Sequence, residues 1–170
     1  MTTQTLPQLG HEHHERLLAH IDQMPALADR LLTVPFADAR EDIDELVAFL
    51  TTTLLPHVEA SERALYPELE RLYQNRHSMA PMRREHGEIR QLVADLTNLV
   101  VKIEAGSLSV GRTVGLRRVM FQLYAFLKIH LAEEEAYLRI VNHGVGADAA
   151  DLLGQAMDYP GIGTPEPARR

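Results

Sequence analysis

The sequence predicts an all-α protein, an up-down-up-down four-helix bundle with a short C-terminal helix. Apolar residues recur every three to four positions through most of the chain, which is the period of an amphipathic helix. The alternation of apolar and polar residues that is typical of strands is absent. Four long amphipathic stretches are separated by short breaks, and helices joined in this way pack as antiparallel neighbours.

The first two predicted helices fill the N-terminal half of the chain. Helix A runs over about residues 8–32, and Pro25 is expected to bend it or to restart a turn, because proline lacks a backbone N–H. Helix B begins near Asp38. Pro56 should kink it and Pro67 should disturb it again, since an interior proline removes a backbone hydrogen bond and clashes with the preceding turn.

The remaining helices follow a loop over about residues 75–80. Helix C begins near Pro81, a favourable residue for a first turn, and ends where Gly106 suits a C-terminal cap. Helix D spans roughly residues 110–142. A further short helix is expected over about residues 147–157.

Domain organisation and composition limit the function. One bundle is expected over residues 1–158, with a flexible tail over residues 159–170 that is rich in glycine and proline. A net charge of -7 argues against a nucleic-acid partner, and no apolar run is long enough for a membrane span. No signal peptide is evident, so a cytoplasmic protein is expected. Because cysteine is absent, any metal must be held by nitrogen and oxygen atoms.

One histidine lies on the apolar stripe of each predicted helix. His14 precedes Leu17 by three residues, and His86 stands in the same relation to Ile89. The four histidines of this kind are His14, His57, His86 and His130. Other histidines fit the stripes less well; they are His11, His13, His20, His77 and His143. At a rise of about 1.5 Å per residue, the four stripe histidines fall at a similar depth from one end of the bundle.

A single buried histidine is usually a core residue with a hydrogen-bond partner. Four buried histidines at one level of the bundle have few hydrogen-bond acceptors among them, and buried polar groups without partners cost about 1–3 kcal/mol each. A metal resolves this by taking a lone pair from each ring. The pattern therefore favours a metal site.

Carboxylates accompany two of the histidines. Glu134 follows His130 by four residues, so both side chains lie on one helix face. On helix B the same offset from His57 reaches Ser61, and Glu62 lies about 140° from His57, which is a weaker fit. Glu133 and Glu135 belong to a charge run that is expected to face solvent. Tyrosines near the site are interpreted as packing residues first and as hydrogen-bond donors second; they are Tyr66, Tyr124 and Tyr137.

Several other sites are excluded by their motifs. The chain has no Glu-x-x-His pattern of the ferritin-type di-iron proteins and no His-Glu-x-x-His zinc motif. It also lacks a glycine-rich phosphate loop and a Gly-x-Ser-x-Gly elbow.

Four segments together resemble the hemerythrin-like (HHE cation-binding) domain family over residues 8–142. They are His13-His14-Glu15, HVEASERALYPEL from His57, EHGEIRQL from Glu85 and HLAEEEAYL from His130. The resemblance implies a four-helix bundle around a non-haem di-iron centre, with carboxylates and an oxo or hydroxo group as bridges. It also implies a small ligand such as O2, peroxide or NO. The ligand positions that it implies are His14, His57, Glu62, His86, His130 and Glu134.

Two residues depart from the family pattern. Ser61 stands where the first, often bridging, glutamate is expected, which puts a doubly bridged pair in doubt. Arg90 stands where oxygen-carrying hemerythrins have a second histidine, four residues after His86. Sensing, iron handling or peroxide and NO chemistry is thus expected before simple oxygen carriage. One alternative is a bundle that has lost its metal and acts as a structural or interaction protein. A second alternative is an enzyme, such as a catalase-like peroxide scavenger.

Overall fold

A computed structural model describes residues 6–103 and 109–141, and every regular element within them is a helix. This confirms the all-α prediction. The segments fall into four helical stretches along the chain. None of the described helices is both long enough and apolar enough to cross a membrane.

The first stretch consists of α1 (Leu6–Ile21) and α2 (Met24–Arg30). The helix stops at the turn formed by Asp22 and Gln23, and it restarts with Pro25 in the first turn of α2. A proline is tolerated there because the first N–H groups of a helix have no partner inside it. The restart at this proline was one of the two outcomes that the sequence predicted.

The second stretch runs without a break through three α-helices and two π-helical turns. They are α3 (Phe36–Phe49), a π turn (Leu50–Leu54), α4 (Leu55–Ala60), a second π turn (Ser61–Leu65) and α5 (Tyr66–Leu72).

Each π turn ends two residues before a proline, Pro56 or Pro67. The N–H of Leu55 reaches the carbonyl of Leu50, and the N–H of Tyr66 reaches the carbonyl of Ser61, which are bonds across five residues. The wider turns accommodate the missing proline N–H groups, and the helix continues.

The third and fourth stretches are α6 (Ala80–Val101) and α7 (Val110–Val141). The predicted cap at Gly106, the short helix over residues 147–157 and the tail over residues 159–170 lie outside the described residues.

Cross-helix contacts give the direction of neighbouring helices. Asp22 pairs with Lys128 at 3.0 Å, and the later Asp29 pairs with the earlier Arg117 at 2.8 Å. Sequence number therefore rises along α1 and α2 while it falls along α7. In the same way Glu62 pairs with Arg90, whereas Glu70 pairs with Arg83. The second stretch and α6 therefore also run in opposite directions.

Buried apolar side chains form two clusters of unequal size. The large one fills most of the interior and includes Leu17, Val58, Ile89, Leu127 and Leu131. The small one comprises Leu65, Tyr66, Leu69, Met79, Met82 and Leu138. Along α6 and α7 the buried polar residues stand between members of the two clusters, so a polar layer interrupts the apolar interior.

Candidate metal centre

The polar layer consists almost entirely of imidazoles and carboxylates. Its buried members are His13, His14, His57, Ser61, His86, His130 and Glu134. Two groups of three have ligand atoms within 4.8 Å of one another, and Glu134 belongs to both. We name them by the side chains behind them. The carboxylate-backed pocket is His86, His130 and Glu134, and the imidazole-backed pocket is His14, His57 and Glu134.

Two carboxylates stand behind the first pocket. Nδ1 of His86 lies 3.0 Å from Glu62, and Nδ1 of His130 lies 2.9 Å from Glu85. Since ionised carboxylates only accept hydrogen bonds, each Nδ1 carries the hydrogen and donates it. In a neutral ring this leaves a lone pair on Nε2. Arg90 donates to the other oxygen of Glu62 at 2.8 Å and holds it ionised.

The two lone pairs of this pocket point at each other. Nε2 of His86 and Nε2 of His130 are 3.1 Å apart. Burial first, and then repulsion from His130, lower the pKa of His86 to about 4, so this ring is neutral at pH 7. Two facing lone pairs without a hydrogen between them repel, whereas a cation binds both. The donor arrangement therefore fits a metal ion.

Tyr66 adds a third group to the carboxylate-backed pocket. Its hydroxyl lies 2.9 Å from Nε2 of His86 and donates to Oε1 of Glu134 at 3.1 Å. Burial and then the charge of Glu134 raise the pKa of this phenol. The hydroxyl has one hydrogen for two acceptors, so it satisfies one of them at a time.

In the imidazole-backed pocket both rings face the other oxygen of the shared glutamate. Nε2 of His14 and Nε2 of His57 lie 3.1 and 3.0 Å from Oε2 of Glu134. Behind His57, its Nδ1 lies 3.0 Å from Nε2 of His13. A neutral imidazole thus takes the place that carboxylates occupy behind the first pocket.

Charge in the layer is concentrated on Glu134. Burial by itself would raise the pKa of this carboxyl, but attraction to His57 and hydrogen bonds from His14 and His57 outweigh it and hold the pKa well below its ordinary value.

For His13, His57 and His86, by contrast, the lowered pKa favours the neutral imidazole. Burial lowers the pKa of His57, and burial with repulsion from His57 and His14 lowers that of His13 to about 3. Neutral imidazoles around an ionised carboxylate are the protonation state that metal binding requires.

The second π turn explains why Tyr66 reaches the site. Tyr66 follows His57 by nine positions, and in a regular α-helix this offset places the two side chains about 180° apart. The extra residue of the π turn removes about 100° of that separation, so both side chains face the interior. His57 and Tyr66 are accordingly both buried.

A family model agrees with this site. The model of the hemerythrin HHE cation binding domain matches residues 8–138, which is most of the chain. The chain belongs to this family. Neither a search of curated proteins nor a search of solved structures found a match.

The HHE domain brings together five of the six residues that the sequence singled out: His14, His57, His86, His130 and Glu134. The sixth, Glu62, lies behind His86 rather than in either pocket, and its oxygens face His86 and Arg90. Glu133 is exposed, and Glu135 pairs with His11 and Arg139 near the surface. The metal-binding role of all six stays a prediction.

Two side chains of the site were not recognised from the sequence, and a third was given a role there only as a secondary interpretation. His13 is one residue from His14 and four before Leu17, so its place on the stripe was visible in the spacing. Glu85 directly precedes His86 but bonds His130 on the next helix, and no pattern within α6 predicts that contact. Tyr66 was interpreted as a packing residue first and as a hydrogen-bond donor second.

Proposed function

We propose that this HHE domain binds two iron ions inside an up-down-up-down four-helix bundle and reacts with, or senses, O2, peroxide or NO. The observation that carries the proposal is the sharing of Glu134 between two histidine pairs. One oxygen faces His14 and His57, and the other accepts from Tyr66 beside His86. A carboxylate in that position can bridge two cations.

The ligand atoms support iron. All candidate donors are imidazole nitrogens and carboxylate or phenol oxygens, a set that suits iron and also accepts manganese or zinc. Each pocket supplies three protein ligands, which is fewer than iron usually takes, so positions remain for a small ligand. When bound, a pair of irons supplies one- and two-electron redox chemistry.

The chain's own residues orient the ligands and exclude water. Glu62 and Glu85 fix the rings of His86 and His130 by accepting from Nδ1, which also makes Nε2 a better donor. Apolar clusters on both sides of the layer keep it away from solvent. The hydroxyl of Tyr66 lies between His86 and Glu134, where it can donate a hydrogen bond to a bound small molecule.

The antiparallel contacts of α1 and α2 with α7, and of the second stretch with α6, support the bundle order. With neighbours of opposite direction, the ends of the four stretches alternate, and one histidine layer can draw on all of them.

Metal analysis of protein from iron-replete expression tests the proposal. We expect about two irons per chain, with the near-ultraviolet absorption of bridged ferric pairs. Glu134→Gln should lower the iron content below one per chain, whereas Glu133→Gln, the exposed neighbour, should leave it unchanged. An iron-free wild-type protein that is fully helical by circular dichroism would favour a structural role instead.

Reactivity is tested on the iron-loaded protein. Stopped-flow spectra of the reduced form mixed with O2, hydrogen peroxide or NO should change with at least one of the three. Sustained turnover of peroxide would make the protein an enzyme, and reversible binding of O2 without turnover would make it a carrier. Spectra that respond to none of the three would contradict the proposed chemistry.

A further inference from the structure

The two pockets differ in where their hydrogens lie. On the basis of the proposed function, we infer that the pockets load in a fixed order, with the carboxylate-backed pocket binding the first cation and the imidazole-backed pocket holding the second more weakly. The hydrogen bonds on the Nδ1 side of each pair of rings distinguish the two pockets.

The carboxylate-backed pocket is ready for a cation before one arrives. Glu62 and Glu85 keep the ring hydrogens of His86 and His130 on Nδ1, so both Nε2 lone pairs already point into the pocket. Binding requires no change of tautomer. It also removes the repulsion between the two lone pairs, and two nearby carboxylates balance the charge of the incoming ion.

The imidazole-backed pocket has its hydrogens on the inward side. Oε2 of Glu134 is within hydrogen-bond distance of Nε2 of both His14 and His57, and an ionised carboxylate requires donors at those positions. With its hydrogen on Nε2, His57 accepts at Nδ1 from Nε2 of His13. Every N–H donor of these three rings has an acceptor without a cation, so these hydrogen bonds compete with metal binding.

A cation can bind in the imidazole-backed pocket only if three imidazole rings change tautomer, each moving its hydrogen from Nε2 to Nδ1. His14 and His57 must free Nε2 and carry the hydrogen on Nδ1. His57 can then donate to His13, but His13 must pass its own hydrogen to Nδ1. Nδ1 of His13 and Nδ1 of His14 are buried and have no hydrogen-bond partner among the described residues. Within the described part of the chain, these nitrogens are unpaired acceptors in the metal-free protein and would become unpaired donors in the loaded one, so no carboxylate stabilises the tautomers that the second cation requires.

His13 is therefore a positioning residue for His57. It decides which nitrogen of His57 holds the hydrogen, and it does so less firmly than a carboxylate would, because a neutral imidazole can donate or accept. Loss of an outer carboxylate partner of a metal-bound histidine typically costs about 10–100-fold in metal affinity. We expect a difference of about this size between the two binding steps.

Titration of the metal-free full-length protein with Co²⁺ under anaerobic conditions tests the order. Calorimetry and the visible spectrum of Co²⁺ should resolve two steps whose dissociation constants differ by about 10–100-fold. His14→Ala should keep the tight step and lose the weak one, and His130→Ala should lose the tight step. Glu85→Gln should weaken the tight step by about 10–100-fold, and His13→Gln should alter only the weak one.

Crystals of the wild-type protein grown with one equivalent of Co²⁺ locate the first ion even where a variant fails to fold. Anomalous density between His86 and His130 supports the order. Density between His14 and His57, equal density in both pockets, or one cooperative two-ion step overturns it while leaving the proposed metal centre intact. A wild-type protein that binds no Co²⁺ overturns both the order and the proposed metal centre.

Discussion

Acid should destabilise the metal-free protein well before its carboxylates are protonated. In the folded state the pKa of His13 is lowered to about 3 and that of His86 to about 4, mainly by burial, and the pKa of His57 moves in the same direction. The unfolded chain returns each ring to a pKa of about 6.5. Below that value the unfolded state binds more protons than the folded state, so stability is full above pH 6.5 and falls as the pH decreases.

The size of the loss follows from these values. Between pH 7 and pH 5, a ring with a pKa of about 6.5 in the unfolded state and one well below 5 in the folded state contributes a loss of about 2 kcal/mol. His13 and His86 together give about 4 kcal/mol, and His57 adds to it. This is a large part of the 5–15 kcal/mol that is typical of folded domains.

Urea denaturation followed by circular dichroism at the two pH values measures this loss. His13→Gln keeps an amide donor for His57 but cannot titrate, so its loss between pH 7 and pH 5 should be smaller by about 2 kcal/mol. His77→Gln, at an exposed loop position, is the matched control and should behave like the wild type. A His13→Gln protein with the same pH dependence as the wild type would refute the reasoning.

Three further substitutions test separate parts of the account by urea denaturation of the metal-free protein. Tyr66→Phe removes the hydroxyl that donates to the buried Oε1 of Glu134 and should cost about 1–3 kcal/mol; no loss would show that the hydroxyl is not needed there. Ser61→Ala removes a buried hydroxyl that has no partner among the described residues, so stability should stay equal or rise by about 1 kcal/mol. Leu123→Ala should cost about 2–5 kcal/mol because its side chain is fully buried, while Leu32→Ala, at an exposed position, should change stability by less than about 0.5 kcal/mol; equal effects would contradict the described core.

The histidine layer was predictable because it depends on regular helix geometry. His14, His57, His86 and His130 each follow the apolar stripe of their own helix, and their distances from the predicted helix ends, or from Pro67 on helix B, set their depth. The apolar stripe of one helix shows which of its side chains face the interior. The number of residues from the helix end gives the height of each side chain along the bundle. Those two quantities are sufficient to bring the four rings together.

The side chains behind the rings were harder to predict, since they depend on contacts between helices and on irregular turns. Glu85 reaches across to His130, and only the packing of α6 against α7 determines that pair. Tyr66 enters the site through a π turn, whose signal in the sequence is Pro67. Pro56 and Pro67 were expected to kink or disturb the helix. A π turn, which inserts one residue into the helical register, also accommodates the missing N–H of a proline.

Iron-edge anomalous diffraction from crystals of the iron-loaded wild-type protein tests the central claim most directly. We expect two peaks, one beside His86 and His130 and one beside His14 and His57, with Glu134 between them. Iron peaks only at surface positions, or no iron in the histidine layer of an iron-loaded crystal, would contradict it.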